Sequence, residues 1–225
     1  MVSRAGKADK DDNNELEVTF AEIEKRYGTI GYPIRRRGGN IVQPVRIPTG
    51  AFVLDFALLG GIPMGKVTHL IGNKHSGKSM LASKIMGYAQ RQMPDRKCVL
   101  IDIEKGFEPI WARKLGCDID NLEVLEADTG EMAADMADAV VQSKETSLLV
   151  IDSLAAMVPT KEAESSAEDH HMALQARLIG HVCRKMISDM TKERMRGHDV
   201  AVLFINQWRT KIGQMFGDPR TSGQS

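Results

Sequence analysis

Cysteine is scarce in this 225-residue sequence: only Cys98, Cys117 and Cys183 occur, and no two form a C-x-x-C pair. An odd, scattered set gives no disulfide framework; it suits a reducing compartment, where Cys98 and Cys183 are expected to pack as small apolar core groups. Long apolar runs are missing too. None approaches the ~20 residues needed to cross a bilayer, and the polar stretch Met1 to Glu15 is not a secretory signal. The expectation is a soluble, cytoplasmic protein with no membrane partner. Net charge is also absent, since 30 Lys and Arg balance 30 Asp and Glu. Any nucleic-acid binding must therefore work through local patches or assembly rather than a global basic field. No internal repeat is visible.

What is present is ordinary in bulk and organised in detail. A composition of 42% hydrophobic and 27% charged residues fits a globular protein, and the length suits one α/β domain with a small appendage. Residues 1–14 read as a disordered leader. Residues 15–45 read as a short amphipathic helix, with Leu16, Phe20, Ile23 and Tyr27 on one stripe and Gly28 as its stop, followed by the linker Arg35 to Asn40. That stripe is too small for a domain, so it should dock on something. Residues 46–225 carry the main body.

From Lys66 onward, strand and helix patterns alternate. Strands are predicted at Val67–Ile71, Cys98–Ile103, Leu122–Leu125, Leu148–Ile151 and Ala201–Ile205. Between them, one helix aligns Leu81, Ile85 and Ala89, and a short one runs Pro109–Leu115. Asp128 and Glu131 suggest a capping box opening a helix with Met132, Met136 and Val140. A long helix spaces Leu174, Leu178, Val182, Met186 and Met190 by fours. Such alternation means a mostly parallel sheet covered on both faces.

One segment carries strong chemical meaning. Gly72, Asn73, Lys74, His75, Ser76, Gly77, Lys78 and Ser79 fit G-x-x-x-x-G-K-[ST] between a strand and a helix. Glycines let backbone wrap a phosphate, and N–H groups with the helix N-terminus supply positive potential. Lys78 then reaches the β and γ phosphates of ATP, and Ser79 holds Mg²⁺. Leu148 to Asp152 is an apolar strand ending in a carboxylate; a parallel sheet brings Asp152 to the same edge, where it contacts the Mg²⁺ shell. Asp102 and Glu104 also end a strand there, and either can serve as the base that polarises water.

Several runs resemble the bacterial RecA recombinase family: Leu58–Lys66, Ile101–Gly116, Asp118–Asn121, Asp128–Glu131, Val150–Ala156, His171–Met172 and, most specifically, Phe204–Pro219. The likeness extends from about Phe20 to the last residue. It implies a RecA-like P-loop ATPase core with an N-terminal oligomerisation helix, and it assigns the catalytic carboxylate to Glu104. It sets Glu108 and Trp111 against adenine, and makes Gln207 the sensor of the γ-phosphate. It implies two DNA loops, the first from about Pro159 to Met172 and the second beginning at Trp208. There Arg177, Arg184, Arg209 and Lys211 would meet phosphates, while Met172 and Ile212 would wedge between bases. By residues alone, Arg177 and Arg184 read equally well as one solvated helix face.

The function implied is an ATP-dependent recombinase that forms a homo-oligomeric filament on single-stranded DNA, pairs it with double-stranded DNA and exchanges strands. Alternatives are a related ATPase motor or regulator without strand exchange, and a fragment that binds nucleotide but is inactive alone. Lys74 and His75 depart from the family, which usually has an acidic and a small residue there. The first loop is acidic from Lys161 to Asp169, so its DNA contacts must come from its flanks. The sequence stops inside the second loop, so the core is expected to be incomplete, with an open sheet edge.

Overall fold

The computed structural model describes residues 22, 25, 26, 44–159 and 168–208. The chain divides after residue 42; in the first unit, Glu22, Lys25 and Arg26 are helical and exposed. The predicted stripe of Leu16, Phe20, Ile23 and Tyr27 lies outside the described residues.

The second unit opens with β1 (Arg46–Ile47), α1 (Phe52–Ala57) and β2 (Ile62–Pro63), the two strands forming a small antiparallel pair. Then follow β3 (Val67–Gly72), α2 (Lys78–Gln92), β4 (Lys97–Asp102), α3 (Pro109–Lys114), β5 (Leu122–Glu126), α4 (Gly130–Gln142), β6 (Thr146–Asp152), α5 (Glu168–Met195) and β7 (Ala201–Gln207). Strands β3 to β7 form one sheet in the order β3-β7-β6-β4-β5, and every pairing is parallel.

The central strands are apolar on both faces because both faces are covered. Cys98 and Leu100 of β4, Leu148 and Val150 of β6, and Ala201, Leu203 and Ile205 of β7 share one core with Ala82, Ile85, Met86 and Ala89 of α2. Their neighbours Val99, Ile101, Leu149, Ile151, Val202 and Phe204 pack on the opposite face with Ala133, Ala137 and Val141 of α4 and Val182, Met186 and Met190 of α5. The alternation of period two is therefore present inside strands that read as continuous apolar runs.

Several local expectations shift. Strand β4 ends at Asp102, so Ile103 has already left the sheet. The cap of α4 is Thr129, whose hydroxyl accepts the Met132 N–H; Asp128 instead binds Lys105 at 2.6 Å. The capping-box reading was thus one residue off. The buried residues of α4 are Gly130, Ala133, Ala137, Val141 and Asp138, the last paired with Lys185 of α5, while Met132 is exposed. At Gly130 α5 lies too close for a side chain: a Cβ there would sit 2.5 Å from a Leu178 methyl. Of the cysteines, Cys98 and Cys117 are buried and Cys183 is only half-buried. Burial pushes the Cys98 thiol up to about 11 and the Cys117 thiol up to about 12, so both remain protonated packing groups.

Strand β3 pairs only with β7 among the described residues, and all six of its residues are half-exposed. Beside it in the chain, α1 has no buried residue, and Phe52, Val53, Phe56 and Leu59 are each at least 75% exposed. Among the described residues no helix is long and apolar enough to cross a membrane.

Candidate functional site

A parallel sheet collects its carboxyl ends on one edge, and that edge is chemically dense here. Gly72 of β3 is in register with Gln207 of β7, and Asp102 of β4 with Asp152 of β6. A cavity of about 410 Å³ opens above these ends. It is lined by the loop Lys74 to Ser79, by Asp102, Glu104, Glu108 and Trp111, and by Asp152 and Gln207.

The loop between β3 and α2 has the shape its glycines permit. Gly77 caps α2 in the left-handed region at φ 87°, where a side chain would be strained. A Cβ on Gly72 would approach the Ser76 hydroxyl to 2.7 Å. His75 also adopts positive φ, at 60°. The 15-residue helix α2 has no acidic residue in its first turn, so its N-terminal N–H groups keep their attraction for an anion. The Lys78 ammonium donates to the Asn73 carbonyl at 2.7 Å, folded back over the loop it serves.

Across the cavity, the Ser79 hydroxyl donates to Asp152 Oδ2 at 2.6 Å. Desolvation, reinforced by the nearby Glu104 and Asp102 charges, pushes the Asp152 carboxyl above its ordinary range, against the Ser79 hydroxyl and Lys78. Asp102 is 5% exposed and accepts the Phe107 N–H at 2.8 Å, fixing the turn after β4. Glu104 is exposed. Its Oε1 accepts both the Ser153 hydroxyl and the Gln207 amide, the latter at 2.9 Å. Both carboxylates line the cavity, but their bonds differ: buried Asp102 holds a turn, and exposed Glu104 is bonded to Ser153 and Gln207. Ser153, fully buried, was missed by sequence reasoning, since a serine one residue past a strand carries no signal of its own.

At the far side, Glu108 and Pro109 open α3 and Trp111 stands 51% exposed, a flat apolar surface beside the phosphate loop. Lys114 lies 5.9 Å from the Trp111 ring centre. Arg177 and Arg184 are exposed on α5 and do not line the cavity. Met172 lies in α5, but its side chain is outside the described set, as are Arg209, Lys211 and Ile212.

The residues fit ATP and Mg²⁺. The Gly72 and Gly77 positions make a cradle that side chains would fill, and the Ser79 and Asp152 oxygens provide two hard donors at one point. Among the described residues no group of three or more His, Cys, Asp or Glu can hold a metal alone. A Mg²⁺ here would complete its shell with water and phosphate oxygens, as this ion commonly does.

A family model described as RecA N-terminal domain matches residues 14–225. The chain is 38% identical over 213 residues to "Protein RecA" of Rhodospirillum rubrum, covering 94% of this chain and 56% of the relative. It is 41% identical over 216 residues to "Protein RecA" of Acinetobacter baylyi, with 94% and 59% covered. The same name in Mycobacterium avium goes with 41% identity over 214 residues, again with 94% and 59% covered. The chain thus spans a little over half the length of the curated relatives it matches.

Proposed function

This chain belongs to the RecA family, and from that premise we propose that it is the nucleotide-binding part of a DNA recombinase. In this reading it binds ATP with Mg²⁺, assembles as a homo-oligomeric filament on single-stranded DNA in the cytoplasm, and pairs that strand with duplex DNA. ATP turnover is DNA-dependent. Residues 15–45 dock on the adjacent subunit, and residues 46–225 form the ATPase core.

The observation that carries this reading is the hydrogen-bonded bridge Ser153–Glu104–Gln207. Both donors use Glu104 Oε1, so Oε2 stays available to take a proton from water in the cavity. Lys78 and the loop N–H groups hold the phosphates, and Trp111 and Glu108 hold the base. Ser79 and Asp152 hold Mg²⁺, which when bound neutralises charge on the phosphate oxygens. Gln207 can donate to Glu104 or to a phosphate through the same amide. The next residue, Trp208, donates its N–H to the Gly72 carbonyl at 3.2 Å. A change at the γ-phosphate therefore reaches the start of the second DNA loop through one side chain.

The test is ATP hydrolysis with and without single-stranded DNA, together with ATP affinity, in the parent and Lys78→Ala. The reading expects ATP binding that is sharply weakened by the substitution and turnover stimulated by DNA. Equal ATP affinity in two well-folded proteins would remove the phosphate-site assignment.

A further inference from the structure

The phosphate loop carries more cation than its backbone role requires. Lys74 and His75 sit between its two glycines, both exposed and both lining the cavity. Lys78 is already engaged with the Asn73 carbonyl. Neither Lys74 nor His75 has a hydrogen-bond or ion-pair partner among the described residues. Yet four carboxylates, Asp102, Glu104, Glu108 and Asp152, line the same cavity. Each has local work or solvent exposure that keeps Lys74 unclaimed: Asp102 binds Phe107, Asp152 binds Ser79, and Glu104 binds Ser153 and Gln207.

This charge balance poses a physical problem for a polyphosphate. Four acids around a single loop lysine repel a multiply charged anion, and a second, unpaired ammonium on the loop offsets that repulsion where the anion sits. The left-handed conformation of His75 is one that histidine enters more readily than most residues. It allows the imidazole to stand on the loop without a glycine.

We propose that Lys74, assisted by the His75 imidazole, is a second phosphate-binding cation supplied by the chain's own loop, and that it favours nucleoside triphosphates over diphosphates. It adds to Lys78 rather than replacing it. The inference rests on the nucleotide-binding reading above and extends it to a specificity-determining side chain. A hydrogen bond between charged groups is worth roughly a tenfold change in affinity where the bound phosphate shields it from solvent.

The experiment measures binding of a non-hydrolysable ATP analogue and of ADP, each with Mg²⁺, by Trp fluorescence and calorimetry. The proteins are the parent chain, Lys74→Gln, Lys74→Arg and His75→Asn; asparagine tolerates the same backbone conformation. Lys74→Gln should bind the analogue about tenfold more weakly and lose less for ADP. Lys74→Arg should stay near the parent, and His75→Asn should show a smaller loss. Thermal unfolding of the free proteins should be unchanged. Parent-like affinity of Lys74→Gln for the analogue overturns the inference while leaving the nucleotide site intact, as does a loss matched by a lower unfolding temperature. A parent that binds neither nucleotide overturns both readings.

Discussion

The Gln207 amide donates to Glu104 Oε1 at 2.9 Å, joining segments that leave β7 and β4 on either side of β6. Glu104→Gln retains an oxygen that can accept from Ser153 and Gln207 but cannot take a proton. ATP binding should survive, while turnover falls by ~10²-fold or more. Gln207→Ala should leave nucleotide affinity near the parent and abolish the response of turnover to DNA. Steady-state phosphate release with and without single-stranded DNA checks both. Unchanged turnover in Glu104→Gln would return the role of base to Asp102.

Asp189 of α5 sets a pH dependence. Its Lys192 partner at 2.7 Å holds the carboxyl below the ordinary range against the cost of burial, and Gln142 of α4 adds a bond at 3.4 Å. A carboxyl depressed in the native state stabilises the fold above its unfolded value, and that contribution is lost as pH falls through the native value. Asp189→Asn should therefore lower the unfolding temperature at neutral pH, and the gap from the parent should close in acid. A gap that stays constant across the acid range contradicts this account.

Gly87 reverses a familiar substitution. Within a helix, Gly→Ala ordinarily gains up to about 1 kcal/mol. Here a Cβ would lie 2.2 Å from the Gly116 carbonyl oxygen, and backbone cannot swing aside as a side chain can. Gly87→Ala should cost about 1–3 kcal/mol. Urea unfolding decides the sign, and a neutral or stabilising result would show that the Gly116 turn yields easily.

The DNA reading predicts a change of slope. Arg177 and Arg184 stand exposed on α5, seven residues and two turns apart. If both meet phosphates, replacing each by Ala should flatten the dependence of log affinity on log salt by roughly one unit for single-stranded DNA. A titration series over salt concentration gives the slope directly. Identical slopes in the double variant would leave these arginines as a solvated helix face.

The apolar surface of α1 predicts association. Phe52 and Phe56 stack with ring centres 6.4 Å apart, both largely exposed, in the chain beside a strand that pairs on one side only among the described residues. Patches of this kind drive contacts between copies. Sedimentation of the chain should show mass rising with concentration, and Phe52→Ser with Phe56→Ser should suppress the rise. A monomer across the full range would mean that this face stays wet at no cost.

The sequence by itself determined what is local or periodic. The phosphate loop is one continuous string, the alternation of strand and helix follows from apolar spacing, and Asp152 follows directly from the strand that carries it. Other choices were decided only by packing. Asp102 and Glu104 look alike in sequence; the fold buries one against the Phe107 N–H and gives the other to Ser153 and Gln207. The Met132, Met136 and Val140 stripe outranks Ala133 and Ala137 in hydrophobicity, yet the alanines are fully buried, while Met136 and Val140 only edge the core and Met132 is exposed; α5 comes too close at Gly130 for a side chain there. Glu104 and Gln207 are 103 residues apart. Their contact depends on strand order, which arises from how whole helices pack on the sheet and leaves no mark at either position alone.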